Sequence, residues 1–128
     1  MQRRAKALEP AAQTYAQVAT RFSELGKRAS QARGWQLRML LELEQLDAAE
    51  SVGASLLRHV DDDPMETVEG VDRLGVALVE AGREQAARDL VSALRERLAP
   101  HLDGEESVAE RLQLALQELR VTVRLSAS

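Results

Sequence analysis

Two stretches of the chain decide its fold when they are laid side by side. One is Met39-Leu40-Leu41-Glu42-Leu43-Glu44-Gln45-Leu46-Asp47-Ala48-Ala49-Glu50, and the other is Ala77-Leu78-Val79-Glu80-Ala81-Gly82-Arg83-Glu84-Gln85-Ala86-Ala87-Arg88. Leu40 aligns with Leu78, Leu41 with Val79, Glu42 with Glu80, and Ala48-Ala49 with Ala86-Ala87, all 38 residues apart. Each stretch reads as the end of one helix, a tight turn, and a second helix opening on two alanines. Small side chains at that position let the second helix approach its hairpin partner closely. A self-similar unit in the period range of about 20–50 residues predicts stacked helical hairpins.

The flanking sequence extends this pattern to about six helices. Pro10 suits a first helical turn, where its missing amide costs nothing. Ala11, Tyr15, Val18, Phe22 and Leu25 then recur at spacings of three and four, and Gly26 is the expected stop, giving an N-terminal helix over 10–25. A second helix over about 28–45 carries Ala32, Trp35, Met39, Leu40 and Leu43, with Leu46 just beyond. Asp47 and Glu50 have capping-box spacing for a third, with Val52, Leu56 and Val60 inward. The run Asp61-Asp62-Asp63-Pro64 is the clearest boundary: Asp63 caps, Pro64 takes the first position, and Glu66 follows at the third. Val68, Val71, Leu74 and Leu78 mark a fourth helix ending at Gly82. A fifth, from Ala86 through Leu90, Leu94 and Leu98, ends at Pro100. After Asp103-Gly104, a C-terminal helix covers 105–125. Short loops make neighbouring helices antiparallel.

Composition agrees. Of 128 residues, 45% are hydrophobic and only three are aromatic (Tyr15, Phe22, Trp35); Ala and Leu occur 20 times each, and Ile is absent. Such a chain favours helix and excludes an all-β fold or a disordered chain. The length predicts one domain, 1–128, burying roughly two-thirds of its unfolded surface. No cysteine is present, so there is no disulfide framework, thiol nucleophile or thiolate metal site. No apolar run approaches the ~18 residues of a membrane span, and the basic start lacks the apolar segment of a signal peptide. A cytoplasmic location is expected. Fifteen of the 17 basic residues are Arg, and Asn is absent along with Ile, which predicts a GC-rich bacterial source. The net charge of −4 is unevenly spread: residues 1–40 carry +6, 41–110 carry −12, and the last 18 carry +2. That asymmetry either attracts a partner or pairs one end of the molecule with another.

Leu74-Gly75, Leu78, Gly82 and Ala87, with Pro100 after the second helix, give the second unit the spacings of the tetratricopeptide repeat, which it resembles. The first unit keeps Leu40 and Ala49, with Gln36-Leu37 for the Leu-Gly pair and Glu44 for the turn glycine. The stretch from about 29 to 119 is similar to the bacterial transcriptional activator domain, a tetratricopeptide-like module. That similarity rests on Asp63-Pro64, Glu66, Leu78, Gly82-Arg83, Ala87, Leu94-Arg95, Leu98, Leu102, Glu106-Ser107 and Arg111-Leu112. Val91 stands where that family commonly has Tyr, and Arg88 replaces a Leu. The resemblance implies a right-handed solenoid with repeat units at about 29–62 and 67–100, and an association with transcription regulation.

Catalysis finds little to work with. His59 and His101 lie near helix ends, with no carboxylate or Ser at a spacing that forms a triad, so no catalytic residue is expected. Asp61–Asp63 lack the alternating ligands of a calcium loop, and the seven glycines are too dispersed to cradle phosphate; no metal or cofactor is expected. The basic residues Arg3, Arg4, Lys6, Arg21, Lys27, Arg28, Arg33 and Arg38 read as a solvated face. With so few aromatics to stack on bases, they predict no direct nucleic-acid contact.

Trp35 has two readings, one in the core and one on the inner surface of the stack with Gln31, Arg38 and Glu42. The register of the second unit places Glu69, Arg73, Val76 and Glu80 on the equivalent surface. An aromatic beside an Arg is an energetically sensible centre for a binding surface. The last helix has one stripe of Val108, Leu112, Leu116, Leu119 and Val123, and a second of Leu114, Val121 and Leu125 that predicts self-association as a homodimer. The expected function is a non-catalytic protein-interaction module that binds another protein or peptide. The alternatives are a regulatory sensor holding a small molecule or short peptide in the same groove, and a structural helical dimer.

Overall fold

The computed structural model of the chain describes residues 15–103 and 106–127, with side chains for 24–103 and 107–127. Pro10, Ala11, the basic residues Arg3, Arg4 and Lys6, Gly104, and the side chains of Tyr15, Val18, Arg21 and Phe22 lie outside the described residues. Every regular element among the described residues is helical: α1 (Tyr15–Glu42), α2 (Leu46–Arg58), a 3₁₀ turn (Val60–Asp62), α3 (Pro64–Glu80), α4 (Glu84–Leu102), α5 (Glu106–Gln117) and α6 (Arg120–Ala127). The all-α class expected from composition is the class observed. None of these helices is long and apolar enough to cross a membrane.

The sequence repeat is a repeat of backbone geometry. At the α1–α2 corner Gln45 N–H donates to Leu40 O at 2.9 Å and Glu44 N–H to Leu41 O at 3.1 Å. At the α3–α4 corner Arg83 N–H donates to Leu78 O at 2.8 Å and Gly82 N–H to Val79 O at 3.0 Å. Both corners are Schellman closures, in which a left-handed residue lets the chain satisfy the last helical carbonyls before it reverses. Gly82 takes φ 80° and Glu44, its counterpart, φ 58°. Each corner launches a helix whose second alanine, Ala49 or Ala87, is fully buried.

The two hairpins pack side by side, α1 against α3 and α2 against α3, and α5 and α6 close over α4 and α3. Gly26 of α1 lies beside Asp62, Gly34 beside Glu66, and Leu37 beside Gly70, so α1 and α3 run in the same direction. Leu37, Leu56, Leu74, Leu78, Leu94, Leu98 and Leu112 are fully buried. Each contributes about 1.5–3 kcal/mol over an exposed leucine. The hydroxyl of Thr67, also fully buried, lies 3.1 Å from Asp63 O and 3.3 Å from Leu56 O, which ties α3 to α2.

Several expected boundaries are corrected. Gly26 does not stop a helix; α1 runs through it, because its missing Cβ is used for close approach, and a Cβ there would lie 2.6 Å from Asp62 Oδ1. Asp47 and Glu50 do not cap α2, whose N-cap is Gln45; both face Arg83 instead. Asp63 does cap α3, accepting from Glu66 N–H at 3.2 Å with Pro64 in the first turn. Pro100 sits inside the last turn of α4, which continues to Leu102 because that side chain packs on the core. The single helix expected over 105–125 is two, broken at Glu118-Leu119.

The buried face of α1 also differs from the expected one. Ser30, Gly34 and Leu37 face inward, whereas Ala32, Trp35, Met39 and Leu43 are exposed. Small residues on the inner face bring α1 close to α3, so the larger apolar side chains are left pointing outward.

Candidate functional groove

The outward face of α1 joins that of α3 to form an open cavity of about 540 Å³. Trp35, Arg38 and Glu42 line it from α1, and Arg73, Val76 and Glu80 from α3. Six of the eight residues expected on the inner surface therefore share one cavity. Gln31 and Glu69 are exposed but lie outside its lining. Met39, Leu41, Ala77 and Arg120 complete the wall.

Trp35 is 64% exposed and Met39 60%, so the core reading of Trp35 is corrected. The guanidinium carbon of Arg38 lies 5.0 Å from the centroid of the Trp35 ring, at cation–π distance. That stacking orders two long side chains before anything binds, which reduces the rotamer entropy lost on binding. Arg73 reaches the cavity from α3 and, among the described residues, has no ion pair within 4 Å.

Arg120 arrives from α6, a helix whose position is fixed one turn at a time along α3. The Asp72 carboxylate accepts Val121 N–H at 2.9 Å and Arg120 Nε–H at 3.2 Å. Gly75 lies under the Val121 side chain, where a Cβ would be 2.5 Å from Cγ2. Arg124 then donates to Glu80 at 2.9 Å. Val121 is consequently fully buried within its own chain and Leu125 is partly buried, while Leu114 is 55% exposed. The expected self-association stripe is corrected on this point: only Leu114 lies open, because the break before α6 turns the other two inward.

One carboxylate near the groove is perturbed. Glu66 lies against Gly34, and burial raises its pKa above the ordinary 4.5; Glu69 and Asp63 add to the rise, and Arg73 and Arg38 oppose it. Chemistry outside the groove is sparse. His101 Nε2 is 2.6 Å from Asp61 Oδ1, and His59 Nδ1 is 3.9 Å from Asp62 Oδ2, both at helix ends. Among the described residues no group of three His, Asp or Glu side chains is arranged to hold a metal ion.

Met39 and Arg120 were not legible as groove residues. Met39 reads as core by spacing, and Arg120 reads as mid-helix until the break at Glu118-Leu119 swings α6 beside α3. No protein-family model, curated protein or solved structure matches the chain.

Proposed function

We propose that this chain is a non-catalytic interaction module that holds a segment of another protein in the groove formed by α1, α3 and the first turn of α6. The observation carrying this reading is the exposed Trp35–Arg38 stack at the mouth of a cavity that also takes Arg73 from the neighbouring hairpin. Aromatic and Arg side chains grouped in this way are the composition of interface hot spots. Arg38, Arg73 and Arg120 against Glu42 and Glu80 make a mixed-sign lining suited to a peptide carrying charges of both signs. The repeated corner and the parallel α1 and α3 support a short right-handed tetratricopeptide-like stack as its architecture. If the association with bacterial transcription regulators holds, the held segment belongs to another cytoplasmic regulatory protein. A small molecule suits the site less well, because a wall of mostly exposed side chains would leave much of it in water.

Trp35 is the only tryptophan, so its emission reports the groove directly. A partner segment should shift that emission to the blue, and Arg38→Glu or Arg73→Glu should weaken capture at least about tenfold. Leu114→Glu, outside the groove, should leave capture unchanged. Equal capture by the wild type and both arginine variants would refute the groove reading.

A further inference from the structure

On the groove reading above, on which this inference rests, we propose that the held segment is an amphipathic helix lying antiparallel to α1, α3 and α6. Its acidic side chains lie at its C-terminal end, among Arg38, Arg73 and Arg120, and a basic side chain about two turns earlier faces Glu42.

The walls select a helix. α1 and α3 run the same way, with Gly34 beside Glu66 and Leu37 beside Gly70. α6 also runs with α3, since Asp72 meets Arg120 and Val121, Gly75 lies under Val121, and Glu80 meets Arg124. Three parallel helices therefore make a trough with α3 as its floor. Their backbones are hydrogen-bonded within each helix, and the lining contains no Ser, Thr, Asn or Gln to bond the main chain of an extended peptide. A helical occupant brings its own backbone bonds and presents only side chains. Trp35 and Met39 on α1, and Leu43 at its end, stand four residues apart, each more than half exposed. That is the spacing at which the ridges of another helix pack. Val76 and Ala77 continue the apolar surface across the floor.

The charges are sorted along the trough. The Leu37–Gly70 and Asp72–Arg120 contacts bring Arg38, Arg73 and Arg120, one from each helix, to nearly one level, within ~5 Å along the axis at 1.5 Å per residue. Burial, Glu69 and Asp63 raise the pKa of Glu66 while Arg73 and Arg38 both oppose the rise, so the two guanidinium groups stand near one carboxylate. Glu66 itself sits against Gly34, outside the lining. Glu42 and Glu80 lie further on, at the C-terminal ends of α1 and α3. Among the described residues, Arg38 and Arg73 have no carboxylate within 4 Å and Glu42 has no cation, whereas Glu80 is already paired with Arg124. One end of the trough is thus cationic, and the other carries an acid without a partner.

The macrodipole sets the direction. A helix is negative at its C-terminus and positive at its N-terminus. An occupant running against the three walls puts its negative pole at the arginines and its positive pole at Glu42. Its sequence then reads as a basic residue, apolar residues three and four later, and acids about seven later, which matches the ~10 Å from Arg73 to Glu80.

The probe is a displayed library of random peptides about 16 residues long, ~24 Å as helices. It is selected on the full chain and counter-selected on Arg38→Glu/Arg73→Glu. The resulting binders should shift Trp35 emission to the blue, lose at least about tenfold in affinity on insertion of a central proline, and carry their basic residue before their acids. Isolated helices favour the opposite charge order, so this order would come from the groove and not from the peptide. Changing the binder's acids to Lys should weaken its hold on wild type at least about tenfold and restore binding to Arg38→Glu/Arg73→Glu. Binders that tolerate the proline, or that place acids before the base, overturn the helix and its direction while leaving the groove in place. A library with no binder that distinguishes wild type from the arginine variant overturns the groove reading and this inference with it. Should the double variant fail to fold by circular dichroism, Glu42→Arg takes its place, with the binder's basic residue changed to Glu as the rescue. Failure of that swap overturns the charge order.

Discussion

Glu44 and Gly82 occupy the same left-handed corner, at φ 58° and φ 80°, one in each hairpin. The hydrogen bonds closing the two corners agree within 0.1 Å, yet only one corner has the residue that this backbone favours. A side chain with a Cβ costs about 1–2 kcal/mol in that region. Glu44→Gly is therefore expected to raise the unfolding free energy by about 1 kcal/mol, after the extra chain entropy of glycine is set against it. Gly82→Ala should lower it by a similar amount. Denaturant titration of both variants checks the pair, and a destabilising Glu44→Gly would mean that the glutamate makes a contact outweighing its backbone cost.

Gly75→Ala should undock α6. The new methyl would lie 2.5 Å from Val121 Cγ2 and 2.9 Å from its Cβ, which the helices relieve only by separating. Overpacking of this kind costs about 1–3 kcal/mol. Val121→Ala in the same chain makes room, so the double variant should be more stable than the two single losses sum to. Strictly additive losses in thermal unfolding would show that the close approach does not govern α6 docking.

Glu66 gives the fold a pH dependence of known sign. Its carboxyl is held above the ordinary 4.5 by burial, with Glu69 and Asp63 adding to the rise. The folded state then binds the proton more tightly than the unfolded chain does. Its favourable contribution is fully present below the ordinary value and is lost as pH rises through the raised one. Glu66→Gln should leave stability flatter across that window, with its advantage over wild type largest at neutral pH and absent in acid. Unfolding midpoints measured from pH 3 to 7 would contradict this if wild type and variant ran parallel.

Ala49→Asp and Ala87→Asp should each unfold the domain. Both alanines are fully buried, with 0% of their surface open to solvent. An unpaired buried carboxylate costs several kcal/mol, against a total stability for a domain of about 5–15 kcal/mol. Far-ultraviolet circular dichroism is the readout, and a fully helical Ala87→Asp would show that the second helix does not pack as the repeat requires.

The hairpins were legible because their signals are local: a capping aspartate before Pro64, a turn glycine at Gly82, paired alanines at 38-residue spacing. The inner face of α1 was not. Ser30 and Gly34 carry no hydrophobic signal, and their value lies in how near they let α3 come, which depends on residues such as Glu66 and Gly70 far along the chain. Where register between equivalent helices sets a position, as with Arg38 and Arg73, the faces expected from the sequence are the ones that meet at one cavity. The groove was missed where a tertiary contact sets it: Asp72 positions Arg120 from 48 residues away, and no pattern within 105–125 announces that α6 turns back.

Arg83 bonds Asp47 at 2.9 Å and Glu50 at 2.7 Å, joining the second corner to the opening turn of α2. The residues equivalent to those acids in the second unit are Gln85 and Arg88, and the residue equivalent to Arg83 in the first is Gln45. The two corners therefore differ in charge, and this exposed contact favours the order in which the hairpins stand. A tandem duplication of the second unit would set Arg83 against Arg88, and one of the first would offer Gln45 to a pair of carboxylates. The order of the units is thus written in charge at their seam, separately from the leucines and alanines that make each of them fold.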